Sequence, residues 1–202
     1  QWYNFTPPFE MANKNKSPVN WRSREGVIGA FCREELIDNE KYWAVLSHLL
    51  KCRNTLTFRY CGRQPIHEKW VARFEIDPNQ IVFLGWLSNP QAEILKVAML
   101  LDTYALRHGL MAREASIAGI PIIYPVVTNQ FGGIDTLYRR LPPGNTLPNP
   151  LGYSSFKTNE SALALIDKFA FNAVENKKAG LRQKELTETV TNRNFKEFLQ
   201  LL

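Results

Sequence analysis

Between Lys51 and Phe74 the chain interleaves cationic groups with aromatic rings. The run reads Lys51-Cys52-Arg53-Asn54-Thr55-Leu56-Thr57-Phe58-Arg59-Tyr60-Cys61-Gly62-Arg63, then Lys69-Trp70-Val71-Ala72-Arg73-Phe74. Over residues 51–75, six Lys and Arg stand against two acids, Glu68 and Glu75. Guanidinium forks bond phosphate or carboxylate at two points, and aromatic rings stack on bases. Cations alternating with β-branched and aromatic residues have strand spacing, with one apolar and one cationic face. The pattern nominates Arg53, Arg59, Arg63, Lys69 and Arg73 to bind an anion, with Tyr60 and Trp70 available to stack. On an antiparallel sheet Arg59 and Arg73 would share a face. A solvated sheet face over core aromatics is the plainer reading of the same residues. A second cationic pair, Arg139-Arg140 after Tyr138, adjoins a Pro/Gly-rich stretch and would suit an anion clamp, or simply a polar helix end.

Other chemistry has weaker support. Cys52, Cys61 and His67 are separated by eight and then five residues, which matches no standard zinc pattern. Glu75 and Asp77, with Glu68, Glu93 and Lys96, would be the acids and cation of a metal-dependent nuclease. Asp77 is more simply a turn former and Glu93 a first-turn acid. None of His48, His67 and His108 accompanies a nucleophile turn, and Gly132-Gly133 alone makes no phosphate-cradling loop. No cofactor or metal site is expected. Signatures of sequence-specific nucleic-acid modules are missing as well.

The bulk properties agree with a basic globular protein. In 202 residues the net charge is +6, with 45% hydrophobic and 22% charged residues. That charge suits an acidic partner: nucleic acid, an anionic membrane surface or an acidic protein. Three cysteines build no disulfide framework, which points to a reducing, cytoplasmic setting; the sequons at Asn4 and Asn159 weaken that reading little. No apolar run is long enough to span a bilayer. The chain begins at Gln1 without an initiator Met, so a fragment of a larger or membrane-anchored protein is one expectation.

The positioning elements follow from periodicity. Residues 1–21 carry Pro7, Pro8 and Pro18 and read as an irregular docked arm. Helices are predicted over Ser23–Ile37 and Asn39–Arg53, an acidic pair. Strands are predicted over Thr55–Cys61, Lys69–Ile76 and Gln80–Leu87, as an antiparallel meander. Asn89, Pro90 and Glu93 start a helix running toward Gly109, with a short helix over Met111–Ala118. Ile120–Val127 is extended and apolar, but its prolines argue against a central antiparallel strand. Residues 142–152 read as a long loop within an excursion spanning 120–157. Helices over Glu160–Asn176 and Gln183–Leu202 close the chain; the second carries an apolar set from Val190 to Leu202 that either packs on the core or docks a partner. The expected fold is α+β: a small antiparallel sheet, about residues 55–87, between an N-terminal helix pair and a C-terminal helical half, with residues 22–202 as one domain. The expected function is a non-enzymatic subunit contacting nucleic acid through its cationic sheet. A scaffold domain for acidic proteins is the alternative, and the nuclease a third.

Overall fold

The computed structural model describes residues 18–32, 34–102, 110–125 and 152–199; within the final helix it describes side chains as far as 189. Its centre is a six-stranded, wholly parallel sheet. In chain order the elements are β1 (Val27–Ala30), α1 (Glu34–Ile37), α2 (Glu40–Cys52), β2 (Thr57–Tyr60), α3 (His67–Phe74), β3 (Ile81–Phe83), α4 (Pro90–Ile94), β4 (Met99–Leu101), α5 (Leu110–Ile117), β5 (Ile122–Pro125), β6 (Ser154–Phe156), α6 (Asn159–Ala170) and α7 (Ala173–Leu199). Strand order across the sheet is β3-β2-β1-β4-β5-β6. The sheet is therefore neither small nor antiparallel, and the α+β expectation is corrected to a doubly wound α/β fold.

Two apolar layers cover the sheet. On one face Ile28, Ala30, Phe58, Tyr60, Met99, Leu101, Ile123 and Phe156 meet α2, α3 and α6. On the other, Leu100, Ile122 and Tyr124 meet Ile94 of α4 and the alanines of α5. Alternation along each strand assigns the faces, and covering both is what a parallel sheet requires. The first layer centres on Trp43, whose ring lies 6.0 Å from Phe58, 6.4 Å from Tyr60 and 6.4 Å from Trp70. Burying one such indole contributes about 4–5 kcal/mol.

Asn39 starts α2 by accepting the Tyr42 N–H, and Thr158 with Ser161 forms a capping box on α6. Helix α7 packs on α5 through a polar stripe. Asn176, Gln183 and Thr187 are buried there, with Gly180 between them. The Gln183 side chain accepts the N–H of Ile122 at 3.1 Å, and Ser116 Oγ lies 2.7 Å from Thr187 Oγ1. These bonds satisfy a strand-end amide and two buried hydroxyls.

Several predicted elements change type. Lys69–Ile76 is mostly the helix α3, with Trp70 and Phe74 one turn apart and their rings stacked at 6.0 Å. The predicted helix from Ser23 contains β1, and among its described residues the α-helical stretch is Glu34–Ile37, at its end. The helix from Asn89 stops after Ile94; Met99–Leu101 is a buried inner strand. Ile122–Pro125 is also an inner strand, parallel rather than antiparallel, with the prolines at its margins. Residues 1–17, Arg139, Arg140 and most of the 120–157 excursion lie outside the described residues. Among the described residues no helix is long and apolar enough to cross a membrane.

Candidate functional site

In an open parallel sheet, ligands bind beyond the carboxyl ends of the strands, where the strand order reverses. Here that point lies between β1 and β4. The segment after β1 runs to α2 on one face, and α5, on the opposite face, follows β4. The ends of β2 and β3 continue the same edge.

Close packing at this edge is set by glycine. Gly62 follows β2, and a Cβ there would lie 3.0 Å from Glu34 Cβ, so the β1 and β2 crossovers touch. The Glu34 carboxylate accepts the Arg63 N–H at 3.0 Å. Gly62 donates its N–H to the Gly85 carbonyl at 3.1 Å, which ties β2 to β3. Gly85 has φ +68 and open space where a Cβ would be. The turn it makes presents Trp86, which is 69% exposed. The Arg63 guanidinium stacks over that indole at 5.4 Å from its centroid. Among the described residues Arg63 is paired with this ring and with no carboxylate.

The inner part of the edge is acidic and thiol-bearing. Cys32 follows β1, Cys61 follows β2 and Asp102 follows β4. The Cys61 thiol points to the Cys32 carbonyl at 4.0 Å. Burial pushes both thiols up, and Asp102 adds to the effect at Cys32. Both are thus protonated near neutrality and poor nucleophiles. On α5, Glu114 is 4% exposed. Tyr153 is not at this edge: it precedes β6, toward the amino end of the sheet, where it is buried and burial pushes its phenol up.

The residues nominated from sequence do not form one cationic face. Arg53, after α2, forks onto Asp167 with Nε–Oδ1 at 2.7 Å and Nη2–Oδ2 at 2.6 Å. Arg59 lies under α4 at 3.4 Å from Glu93, which also binds Lys96. Lys69 meets Asp38 at 2.7 Å, and Arg73 pairs with Glu40. Trp70 is buried and donates its Nε1–H to Asp38 at 2.8 Å. Tyr60 is a fully buried core ring. Arg59 and Arg73 lie on opposite faces of the sheet, because β2 turns Phe58 and Tyr60 toward α3 and Arg59 away from it. The cationic sheet expected to contact nucleic acid is absent: its charges are distributed over both faces, and Arg53, Arg59, Lys69 and Arg73 are paired with carboxylates. Of that run, only Arg63 stands at the carboxyl edge with an aromatic beside it.

The remaining candidates disperse as well. Asp77 accepts the Asn79 N–H and starts a 3-10 turn, and Glu75 ends α3 in a left-handed conformation; both precede β3, at the edge opposite the crevice. Cys52 lies beside His48 on α2, away from Cys61. No group of three or more His, Cys, Asp or Glu able to hold a metal occurs among the described residues. Trp86, Glu34, Asp102 and Glu114 were not singled out as a set by sequence. The available signal was the repeated strand-like run ending in glycine or an acid, at Leu56–Gly62, Ile81–Gly85 and Val97–Asp102.

No protein-family model matches the chain, and no curated protein does. Solved structures match by fold. TarM, present in a second match as the S. aureus protein, has a TM-score of 0.67 at 15% identity, over 92% of this chain and 36% of TarM. HepE from Anabaena, solved with UDP and glucose, has a TM-score of 0.60 at 12% identity, over 91% of this chain and 50% of HepE. The C-terminal domain of LpcC, a glycosyl transferase group 1 family protein from Francisella tularensis, has a TM-score of 0.55 at 13% identity, over 93% of this chain and 94% of that domain. The shared architecture is the Rossmann-like sheet of the GT-B glycosyltransferase fold. The chain spans 36% of TarM's length and 50% of HepE's, so the likeness is to one part of each.

Proposed function

We propose that this chain is the nucleotide-sugar-binding part of a glycosyltransferase, holding a nucleoside diphosphate over the carboxyl ends of its strands. The observation that carries the reading is the correspondence in fold, over 93% of this chain and 94% of its counterpart, with a glycosyltransferase C-terminal domain. HepE, which shares the sheet, was solved with UDP. The reversal of strand order between β1 and β4 supplies the crevice such a ligand needs.

The residues fit the ligand's parts. Trp86 offers an exposed plane for a base or sugar ring, and Arg63 offers a fork for phosphate oxygens. Asp102, directly after β4, places a carboxylate at the crevice as an acceptor for hydroxyl groups. Glycosyl transfer breaks the bond between the anomeric carbon and the diphosphate, and negative charge grows on the leaving diphosphate. A guanidinium beside it stabilises that charge more in the transition state than in the ground state.

Calorimetric titration with UDP tests the reading. Binding is expected in the wild-type chain, with Trp86→Ala and Arg63→Ala each weakening it about tenfold, or about 1.4 kcal/mol. Wild type that binds neither UDP nor another nucleoside diphosphate at millimolar concentration sinks the proposal.

A further inference from the structure

We propose that His67 is a fixed hydrogen-bond donor to an oxygen of the bound nucleotide, held in its Nε2–H form by Tyr60. The inference rests on the nucleotide reading of the carboxyl edge. It begins with the phenol oxygen of Tyr60, which accepts the N–H of Ile66 at 3.1 Å and that of His67 at 3.3 Å. A hydroxyl oxygen has two lone pairs and one hydrogen. Both lone pairs are taken, so the hydrogen of Tyr60 is donated to His67 Nδ1, 2.7 Å away. A neutral imidazole that accepts at Nδ1 carries its hydrogen on Nε2.

The surroundings hold this arrangement. The His67 ring meets Tyr60 edge-on, with centroids 5.8 Å apart, and Phe83 of β3 at 6.3 Å. Tyr60 is fully buried, so its hydroxyl has no competing water. The two amides open α3, where backbone donors have no intrahelical acceptor and the helix is positive. Their polarisation passes through the phenol to the imidazole and makes Nε2–H a stronger donor. His67 itself is half-buried and opens α3 at the end of the loop that carries Arg63. Capping α3 needs only the phenol oxygen, so an imidazole at 67 supplies a donor beyond what the helix start requires.

Nitrogen-15 NMR of the histidine ring reads the tautomer directly. Nδ1 is expected bare and Nε2 protonated in wild type, with the preference lost in Tyr60→Phe. Saturating UDP is expected to move the Nε2 signal. By titration His67→Gln, whose amide nitrogen replaces Nε2, retains UDP affinity within about twofold, and His67→Asn, whose nitrogen replaces Nδ1, loses about tenfold. An Nδ1–H ring overturns the inference. So does UDP binding that leaves Nε2 unmoved with His67→Asn equal to wild type, although the nucleotide reading then stands. Wild type that binds no UDP removes both.

Discussion

Replacing Gly180 with alanine tests the packing that holds the second helical layer. A Cβ at Gly180 would lie 2.0 Å from the Gly119 carbonyl oxygen and 2.7 Å from its carbon, where 3.4–4 Å is ordinary contact. The obstruction is backbone, and Gly119 already sits at φ +74, so no rotamer relieves it. Helix α7 must withdraw by roughly 1 Å from a closely packed interface. That withdrawal strains the Gln183 bond to Ile122, at 3.1 Å, and the 2.7 Å contact between Ser116 and Thr187. Two such bonds are worth about 1 kcal/mol each. Overpacking adds about 1–3 kcal/mol, and the better helix propensity of alanine returns about 1 kcal/mol. The net cost is therefore about 2–4 kcal/mol, or about 5–15 °C in melting temperature for a chain of this size. Gly85→Ala is the control: φ is +68 with nothing within 4 Å, so only the left-handed backbone is penalised, by about 1 kcal/mol. Thermal melts of both variants decide. The argument is refuted if Gly180→Ala melts within about 2 °C of wild type, or if Gly85→Ala proves the worse of the two.

Two further outcomes are expected. Asn176 donates to the Ala98 and Phe169 carbonyls at 2.7 and 2.6 Å and accepts from Arg24 at 3.2 Å, so Asn176→Leu should cost about 3 kcal/mol in urea denaturation. Burial already holds the Arg24 guanidinium below its ordinary value, so Arg24→Met in the leucine background should restore about 1 kcal/mol; additive losses would contradict the coupling. Stability should also decline in alkali. Burial pushes the Tyr60 phenol from 10.0 up to about 12, so the unfolded tyrosine ionises first and stability is lost as pH climbs from 10 toward 12. The slope is at most about 1.4 kcal/mol per pH unit for that group, and it should lessen in Tyr60→Phe.

Helices with a clear stripe and a cap were legible, as α2 and α6 show, and so were the runs at β2 and β3. Direction was not. A strand buried on both faces has no alternation, and Val97–Leu101 is all apolar, so it continued the helical spacing that began at Ile94. Lys69–Phe74 is short enough to fit either period, and the i, i+4 pair Trp70 and Phe74 decided for helix once a sheet face was there to receive it. Short connections suggested hairpins. Helix α3 instead takes the place of the predicted middle strand and makes the pairing of β2 with β3 parallel. The stripe Asn176, Gly180, Gln183 and Thr187 has the helical spacing of an interface but the polarity of a surface, and its burial depends on strand-end amides and carbonyls that no local pattern reveals.

The charge pattern carried more information about folding than about partners. Residues 25–50 hold five acids and two cations, directly before the six cations and two acids of residues 51–75. Read as a surface, the second segment needs an external anion. Two successive βα units on one face of a parallel sheet are neighbours, however, and segments of opposite charge placed side by side neutralise each other. Asp38 of the first unit meets Lys69 and Trp70 of the second, Glu40 meets Arg73, and Glu34 accepts the Arg63 amide. These pairs are largely solvated and each is worth only about 0–1 kcal/mol, so they direct docking of the two crossovers more than they stabilise it. What such neutralisation cannot absorb is the informative remainder. The Arg63 guanidinium projects past the strand ends onto an exposed indole, at the edge where an α/β sheet binds its ligand.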